Sequence, residues 1–211
     1  RARDLCFLSS AQVLHQLRLP DALLCGERAW RFHCLLHPDT PPPPSLLLSP
    51  TGRPFQLGAL RMELFPSGLL PGATSLWLRT QEGGQIVYAG APNPALRPTC
   101  EAMQVRAADT LIVHAPLSLA DVTLPSRSQA LSALRAQIDQ AAAQDEVTVI
   151  LCAPLTTAPD LADALSQPPA EESATGYPLS LYAHAQIVRA CAAYRDVGAL
   201  PSVVPAGAPP L

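Results

Sequence analysis

Leu60-Arg61-Met62-Glu63-Leu64-Phe65, Thr74-Ser75-Leu76-Trp77-Leu78-Arg79 and Gln85-Ile86-Val87-Tyr88 follow one another in close succession. Each is a short apolar run of strand length, and glycine-bearing turns separate them, the last being Gly83-Gly84. A further short run, Phe55 to Leu57, precedes them. Strands this short and this closely spaced cannot bury their apolar faces alone, so the pattern predicts sheet packed on sheet.

Upstream, Asp4 to Ser9 is an apolar run bounded by polar residues, and Leu5 to Ser9 reads as a buried strand. A short helix or turn from Ala11 towards Leu19 is stopped by Pro20, Asp21 to Cys25 reads as a second strand, and Glu27 to Leu36 shows no clean period. Pro41 to Pro44 is an extended connector that lacks backbone donors. Downstream of Asp109 the rhythm changes to alternating elements: a buried strand at Thr110 to Ala115, a helix at Arg127 to Gln144 and another buried strand at Val147 to Cys152. Leu131, Leu134, Ile138 and Ala141 give the helix one apolar face, with Ser126 or Ser128 as N-cap. A helix from Pro159 to Leu165, a polar loop from Pro168 to Gly176, a strand from Leu179 to Ala183 and a helix from His184 to Val197 complete the pattern. The expectation is an α/β (α+β) fold: an αββα sandwich in residues 1–115, an α/β portion in 116–200 and a Pro/Gly/Ala-rich tail in 201–211.

Composition narrows the function classes. With 48% hydrophobic and 15% charged residues the chain is globular rather than disordered. No apolar run approaches the roughly 18 residues of a spanning helix, and the first twenty residues lack the order of a secretory signal, so the expected location is the cytoplasm. The sequence opens on Arg1 and is consistent with a piece of a longer protein, one lacking its first strands. All 14 basic residues are arginine, and the net charge of −3 argues against a broadly basic nucleic-acid surface. Cys6, Cys25, Cys34, Cys100, Cys152 and Cys191 form no Cys-x-x-Cys pair and read as reduced thiols. His33, Cys34 and His37, joined by Cys25, are the tightest metal-like cluster, although structural zinc asks for four ligands in paired short spacings. Phosphate loops, dinucleotide fingerprints and a Gly-x-Ser-x-Gly elbow are absent, and Ser9 or Ser10 with His15 lacks a nearby acidic partner for nucleophilic catalysis.

Three segments in order carry a resemblance. Leu5 to Ser9 runs into Ser10-Ala11-Gln12-Val13-Leu14-His15. Phe65-Pro66-Ser67-Gly68-Leu69-Leu70 ends a strand, and Tyr88-Ala89-Gly90-Ala91 ends another. Together they resemble the metallo-β-lactamase superfamily in its β-CASP nuclease branch, closest to the bacterial DNA-ligase-associated exonuclease group. That family places His-x-His-x-Asp-His after the first strand, Pro-Ala-Gly-His after the second and Tyr-Ser-Gly-Asp after the third, and these side chains hold two zinc or manganese ions. Aligned on them, Ser10 and Gln12 replace the first two histidines, Leu14 the aspartate, Leu69 the next histidine and Ala91 the bridging aspartate. Only His15 remains. Farther on, Ala108 to Ala115 resembles the stretch leading into the β-CASP region, with His114 where an acidic residue is expected. Thr157-Ala158 replaces a Gly-Lys or Gly-Arg element, Tyr182-Ala183-His184 keeps the β-CASP histidine, and Tyr194 to Gly198 continues the match. The family's last histidine motif has no counterpart before Leu211.

The resemblance therefore implies a catalytically inactive nuclease-like protein, with no cofactor expected and with Ser10, Gln12, Leu14, Leu69 and Ala91 as degenerate metal positions. His15 and His184 are vestigial catalytic residues on this reading. The implied role is a scaffold or accessory subunit in nucleic-acid processing or DNA repair, partnered by an active paralogue or by a second copy, with nucleic acid as a further partner and no membrane. The alternative is a metal-dependent DNA exonuclease or hydrolase whose ligands lie partly outside this chain or come from His33, Cys34 and His37.

Overall fold

Strand β2 (Ala22–Gly26) is buried at every residue because it lies between two parallel neighbours, β1 (Cys6–Leu8) and β3 (Ser45–Ser49), with both faces covered. The computed structural model describes residues 5–10, 21–115, 123–167, 180–198 and 206–207. It divides the chain into two units, Arg1–Ala115 with Ala192–Leu200, and Pro116–Cys191 with Pro201–Leu211.

In the first unit the chain crosses from β2 to β3 through helix α1 (Glu27–Leu36) and the proline connector. The sequence shows no clean period here because Trp30 interrupts it, yet Ala29, Phe32, His33 and Leu36 are buried, at helical spacing on one face. A second sheet follows in the order β4 (Pro54–Leu57), β5 (Leu60–Pro66), β6 (Thr74–Arg79), β7 (Gln85–Gly90) and β8 (Thr110–Val113). The first four form an antiparallel meander; β8 pairs in parallel with β7 at the edge, with a register shift between Tyr88 and Gly90. The expected strands at Leu60, Thr74 and Gln85 are thus present almost residue for residue, although Tyr88 is 38% exposed.

Apolar clusters define the layers. Leu24 of β2, with Phe7 of β1, meets Met62, Leu64 and Leu76 of the second sheet, so the two sheets face each other. On the opposite face of the first sheet Leu8, Leu23 and Cys25 pack with Trp30 of α1 and Leu46 of β3. The described order is helix, sheet, sheet. The run expected as a buried strand from Leu5 to Ser9 is shorter and only partly buried: Leu5 and Cys6 are exposed, and burial begins in earnest at Leu8. Among the described strands β1 has one neighbour, β2, so its burial is one-sided.

The second unit holds α2 (Arg127–Ala143) and α3 (Ala158–Ser166), and α4 (Ala185–Asp196) runs from it into the first unit. Ser126 caps α2 in a reciprocal box: Gln129 N–H donates to Ser126 Oγ at 3.2 Å, and Ser126 N–H donates to Gln129 Oε1 at 2.9 Å. The expected face of Leu131, Leu134, Ile138 and Ala141 is half-buried, while no residue of the helix is fully buried. At its end Asp145 adopts φ 58°, and the amides of Glu146 and Asp145 bond back to Ala141 O and Ala142 O, closing the helix as a Schellman turn does. Short strands β9 (Tyr182–Ala183) and β10 (Ala206–Gly207) pair in parallel.

Two expectations are overturned. The run read as a buried strand from Thr110 to Ala115 forms β8, but every residue of it is exposed, because it pairs with β7 at the edge of the described sheet. Val147 to Cys152 is neither a strand nor buried; Val147, Val149 and Leu151 are 89%, 78% and 94% exposed. A strand exists only through its partner's backbone, and no described strand pairs with this run. The helix or turn read from Ala11 to Leu19 and the loop from Pro168 to Gly176 lie outside the described residues.

Candidate functional site

The ends of β1, β5 and β7 lie close together in the first unit. Thr74 N–H donates to Ser9 O at 2.8 Å, which ties the end of β1 to the start of β6. Gly90, at the end of β7, lies against the same residue: a Cβ there would sit 3.3 Å from the Ser9 side chain. The reversal after β5 is closed by Ser67 N–H to Ala73 O at 3.0 Å and is joined to the segment after β7 by Asn93 N–H to Ser67 O at 2.9 Å. Gly68 is required at that junction. Its φ is 75°, and a Cβ would come within 2.2 Å of Asn93 O.

Charged side chains pin this reversal. Arg97 donates through Nη2 to the carbonyls of Gly68 and Leu69, and Glu101 accepts from Gly72 N–H through Oε2 while pairing with Arg28 of α1 through Oε1. Arg28 Nη2 also donates to Val197 O at 3.0 Å, just past α4. Sequence reading did not find this clamp, because nothing in the local pattern around Arg28 points to a carboxylate 73 residues away.

The structure therefore brings three of the positions that the sequence resemblance implies to be degenerate to neighbouring strand ends: Ser10 after β1, Leu69 in the reversal after β5, and Ala91 after β7. Ser10 is buried, and Leu69 and Ala91 are half-buried. Gln12, Leu14 and His15 lie outside the described residues. Ser10 Oγ and Thr74 Oγ1 are enclosed without a hydrogen-bond partner among the described residues, which leaves two hydroxyls at the base of this region.

Two zinc or manganese ions do not fit what is described here. A hydroxyl, an isobutyl and a methyl group offer no imidazole, thiolate or carboxylate, and stable sites of such metals use three or four donors of those kinds. Among the described residues no group of three or more His, Cys, Asp and Glu side chains could hold a metal ion.

The remaining candidates sit elsewhere. His184, in the second unit, is exposed and begins α4: its Nδ1 accepts from Gln186 N–H at 3.3 Å and its carbonyl from Ile187 N–H at 2.8 Å, which is helix-capping geometry. It also lines a cavity of about 600 Å³ in that unit, with Leu151, Leu161, Leu165 and Tyr182 among its walls. His114 is exposed, and its N–H donates to Gly90 O at 2.7 Å.

His33 is different in kind. It is buried on α1, and neither ring nitrogen has a hydrogen-bond partner among the described residues. Its ring lies between Trp30, at 5.1 Å, and His37, at 4.9 Å between centroids. Burial, and then the charge of His37, pushes its pKa down to about 4. At the end of β2 burial, and then Cys34, pushes the Cys25 thiol up to about 12. In the second unit burial, and then Cys152, pushes Cys191 up to about 11.

No protein-family model and no curated protein matches this chain. Solved structures similar to part of it include a metallo-β-lactamase with a HARLDQ motif from Cronobacter sakazakii, at 16% identity and a TM-score of 0.31, covering 43% of this chain and 39% of that one. A mutant of that protein gives 18% identity and a TM-score of 0.31 over 43% and 42% of the two chains. A protein of unknown function from Enterococcus faecalis gives 19% identity and a TM-score of 0.36 over 44% and 26%. The chain thus spans less than half the length of each. Among the described residues no helix is long and apolar enough to cross a membrane.

Proposed function

We propose that this chain is a metallo-β-lactamase-like domain of the nuclease branch that has lost its two-metal site and serves as a noncatalytic scaffold or accessory subunit in nucleic-acid processing. The observation that carries the reading is the coincidence of Ser10, Leu69 and Ala91 at neighbouring strand ends, with side chains that are poor zinc or manganese ligands or none. Hydrolysis of a phosphodiester in that family depends on metal-activated water. Without the ligands, His184 has no activated water to assist, and its bonds to the α4 backbone give it a capping role instead.

Single- and double-stranded DNA and RNA, incubated with the purified chain and added zinc or manganese, test this directly. Intact substrate is the expected result. Metal-dependent cleavage that His15→Ala abolishes would overturn the reading. The scaffold role further calls for a partner, either an active paralogue or a second copy of the chain, and a concentration-independent monomer that recruits neither paralogue nor nucleic acid would count against it.

A further inference from the structure

We propose that the outer face of the second sheet binds single-stranded nucleic acid, with Arg61 and Arg79 holding phosphates and Trp77 stacking on a base. This surface rests on the proposed nucleic-acid role and deepens it by placing the partner on named residues. Strand register builds it. Gln56 lies opposite Arg61, Arg61 opposite Arg79 and Arg79 opposite Gln85, so the four side chains form one row across β4, β5, β6 and β7. Met62 and Leu78, next in sequence to the two arginines, pack towards the first sheet, so the row faces away from it.

Two guanidiniums directly opposite on neighbouring strands, with Cβ atoms about 5 Å apart, repel each other. Both side chains are exposed, and among the described residues neither makes an ion pair or a hydrogen bond. Nearby carboxylates do not offset them. Glu63 is paired with Arg106 at 2.7 Å, Asp109 accepts from Gln85 N–H at 2.8 Å, and Glu82 in the following turn pairs with neither arginine. A juxtaposition that is unfavourable alone becomes favourable around bound anions, and the arginine fork matches phosphate oxygens. Trp77 sits on the same face, two residues from Arg79 and diagonal to Arg61. Its ring is half-buried against Phe65, Val87 and Ala89, and its indole N–H donates to Gln85 Oε1 at 3.3 Å, which fixes its orientation. A fixed aromatic ring beside two cations suits an unpaired base and its phosphates, whereas a duplex keeps its bases stacked inside. The net charge of −3 supplies no general attraction for a polyanion, so binding depends on this patch.

The test titrates the full chain into a short fluorescein-labelled oligothymidylate and follows anisotropy at several salt concentrations. Saturable binding is expected. The Arg61→Gln, Arg79→Gln double variant weakens it about tenfold or more at low salt and lowers the salt slope by about 1.4, the share of two phosphates on a single strand. Relief of the like-charge pair leaves that variant at least as stable as the parent in thermal unfolding, which separates lost binding from lost fold. A second measurement keeps both arginines: with Trp30→Phe only Trp77 fluoresces, and oligothymidylate quenches it while an abasic oligomer of the same length binds more weakly and does not. Absence of saturable binding, equal affinity in the parent and the glutamine variant, or equal affinity for the abasic oligomer overturns the proposal. The noncatalytic reading fails separately. Metal-dependent cleavage of the oligonucleotide defeats that reading and leaves the site standing, whereas an intact oligonucleotide bound equally by the glutamine variant defeats the site alone.

Discussion

Ala22-Leu23-Leu24-Cys25-Gly26 in β2 and Thr110-Leu111-Ile112-Val113 in β8 are both short, apolar and paired in parallel, yet every residue of the first is buried and every residue of the second is exposed. The difference is position. β2 has a neighbour on each side, α1 over one face and the second sheet over the other, whereas among the described strands β8 has only β7 beside it. Apolar composition qualifies a run for burial, and the number of covered sides decides whether burial occurs. A buried leucine is worth about 1.5–3 kcal/mol over an exposed one, so the two strands contribute very unequally to stability.

Charge insertion should break this contrast most visibly. Leu24→Asp places an unpaired carboxylate against Met62, Leu64 and Leu76, and is expected to remove more than about 4 kcal/mol in urea unfolding, enough to prevent folding of a marginal domain. Ile112→Asp, at 50% exposure, should change stability by no more than about 1 kcal/mol. Comparable losses at both positions would show that β8 is covered in solution.

Alkaline pH sharpens the comparison through Cys25. The folded thiol keeps its proton to about 12, against an ordinary value of 9.0, so its contribution is intact below pH 9 and is lost as pH climbs from 9 to 12. The upper bound is about 4 kcal/mol. Unfolding curves across that range should show a downward slope that Cys25→Ala reduces; identical slopes would mean the thiol titrates near its ordinary value in the fold.

Gly90 joins the two regions, since it ends β7 beside β8 and touches Ser9 at the end of β1. With φ 62° and Ser9 3.3 Å from a new Cβ, Gly90→Ala should cost about 1–2 kcal/mol by thermal unfolding. Smallest of all, Ile112→Thr should lie within about 0.5 kcal/mol of the parent, as surface changes do.

Local chemistry was legible in the sequence where it acts locally. The meander from Phe55 to Tyr88 declares itself by run length and turns, and the start of α2 is marked by Ser126 and Ser128, of which Ser126 is the cap. β3 passed unread because Ser45 to Ser49 follows directly on a proline run and becomes a strand only beside β2. Val147 to Cys152 misleads in the opposite sense, being strand-like in composition but without a described partner. At the candidate site, the order of Ser10, Leu69 and Ala91 along three strand ends could be read from residues alone. The clamp of Arg28, Arg97 and Glu101 could not, because ion pairs across long separations leave no periodic trace.

That clamp has a consequence for how the chain is made. Arg28 holds both Glu101 and the carbonyl of Val197, the latter 169 residues later. At roughly 5–20 residues per second of synthesis, Arg28 waits on the order of ten to thirty seconds after it is polymerised before its last partner exists. During that interval the neighbouring buried face of α1, with Phe32 awaiting Tyr194, is without its C-terminal cover. The nascent chain would therefore present a greasy helix to whatever chaperone attends the ribosome, and slowing translation would lengthen that exposure in proportion.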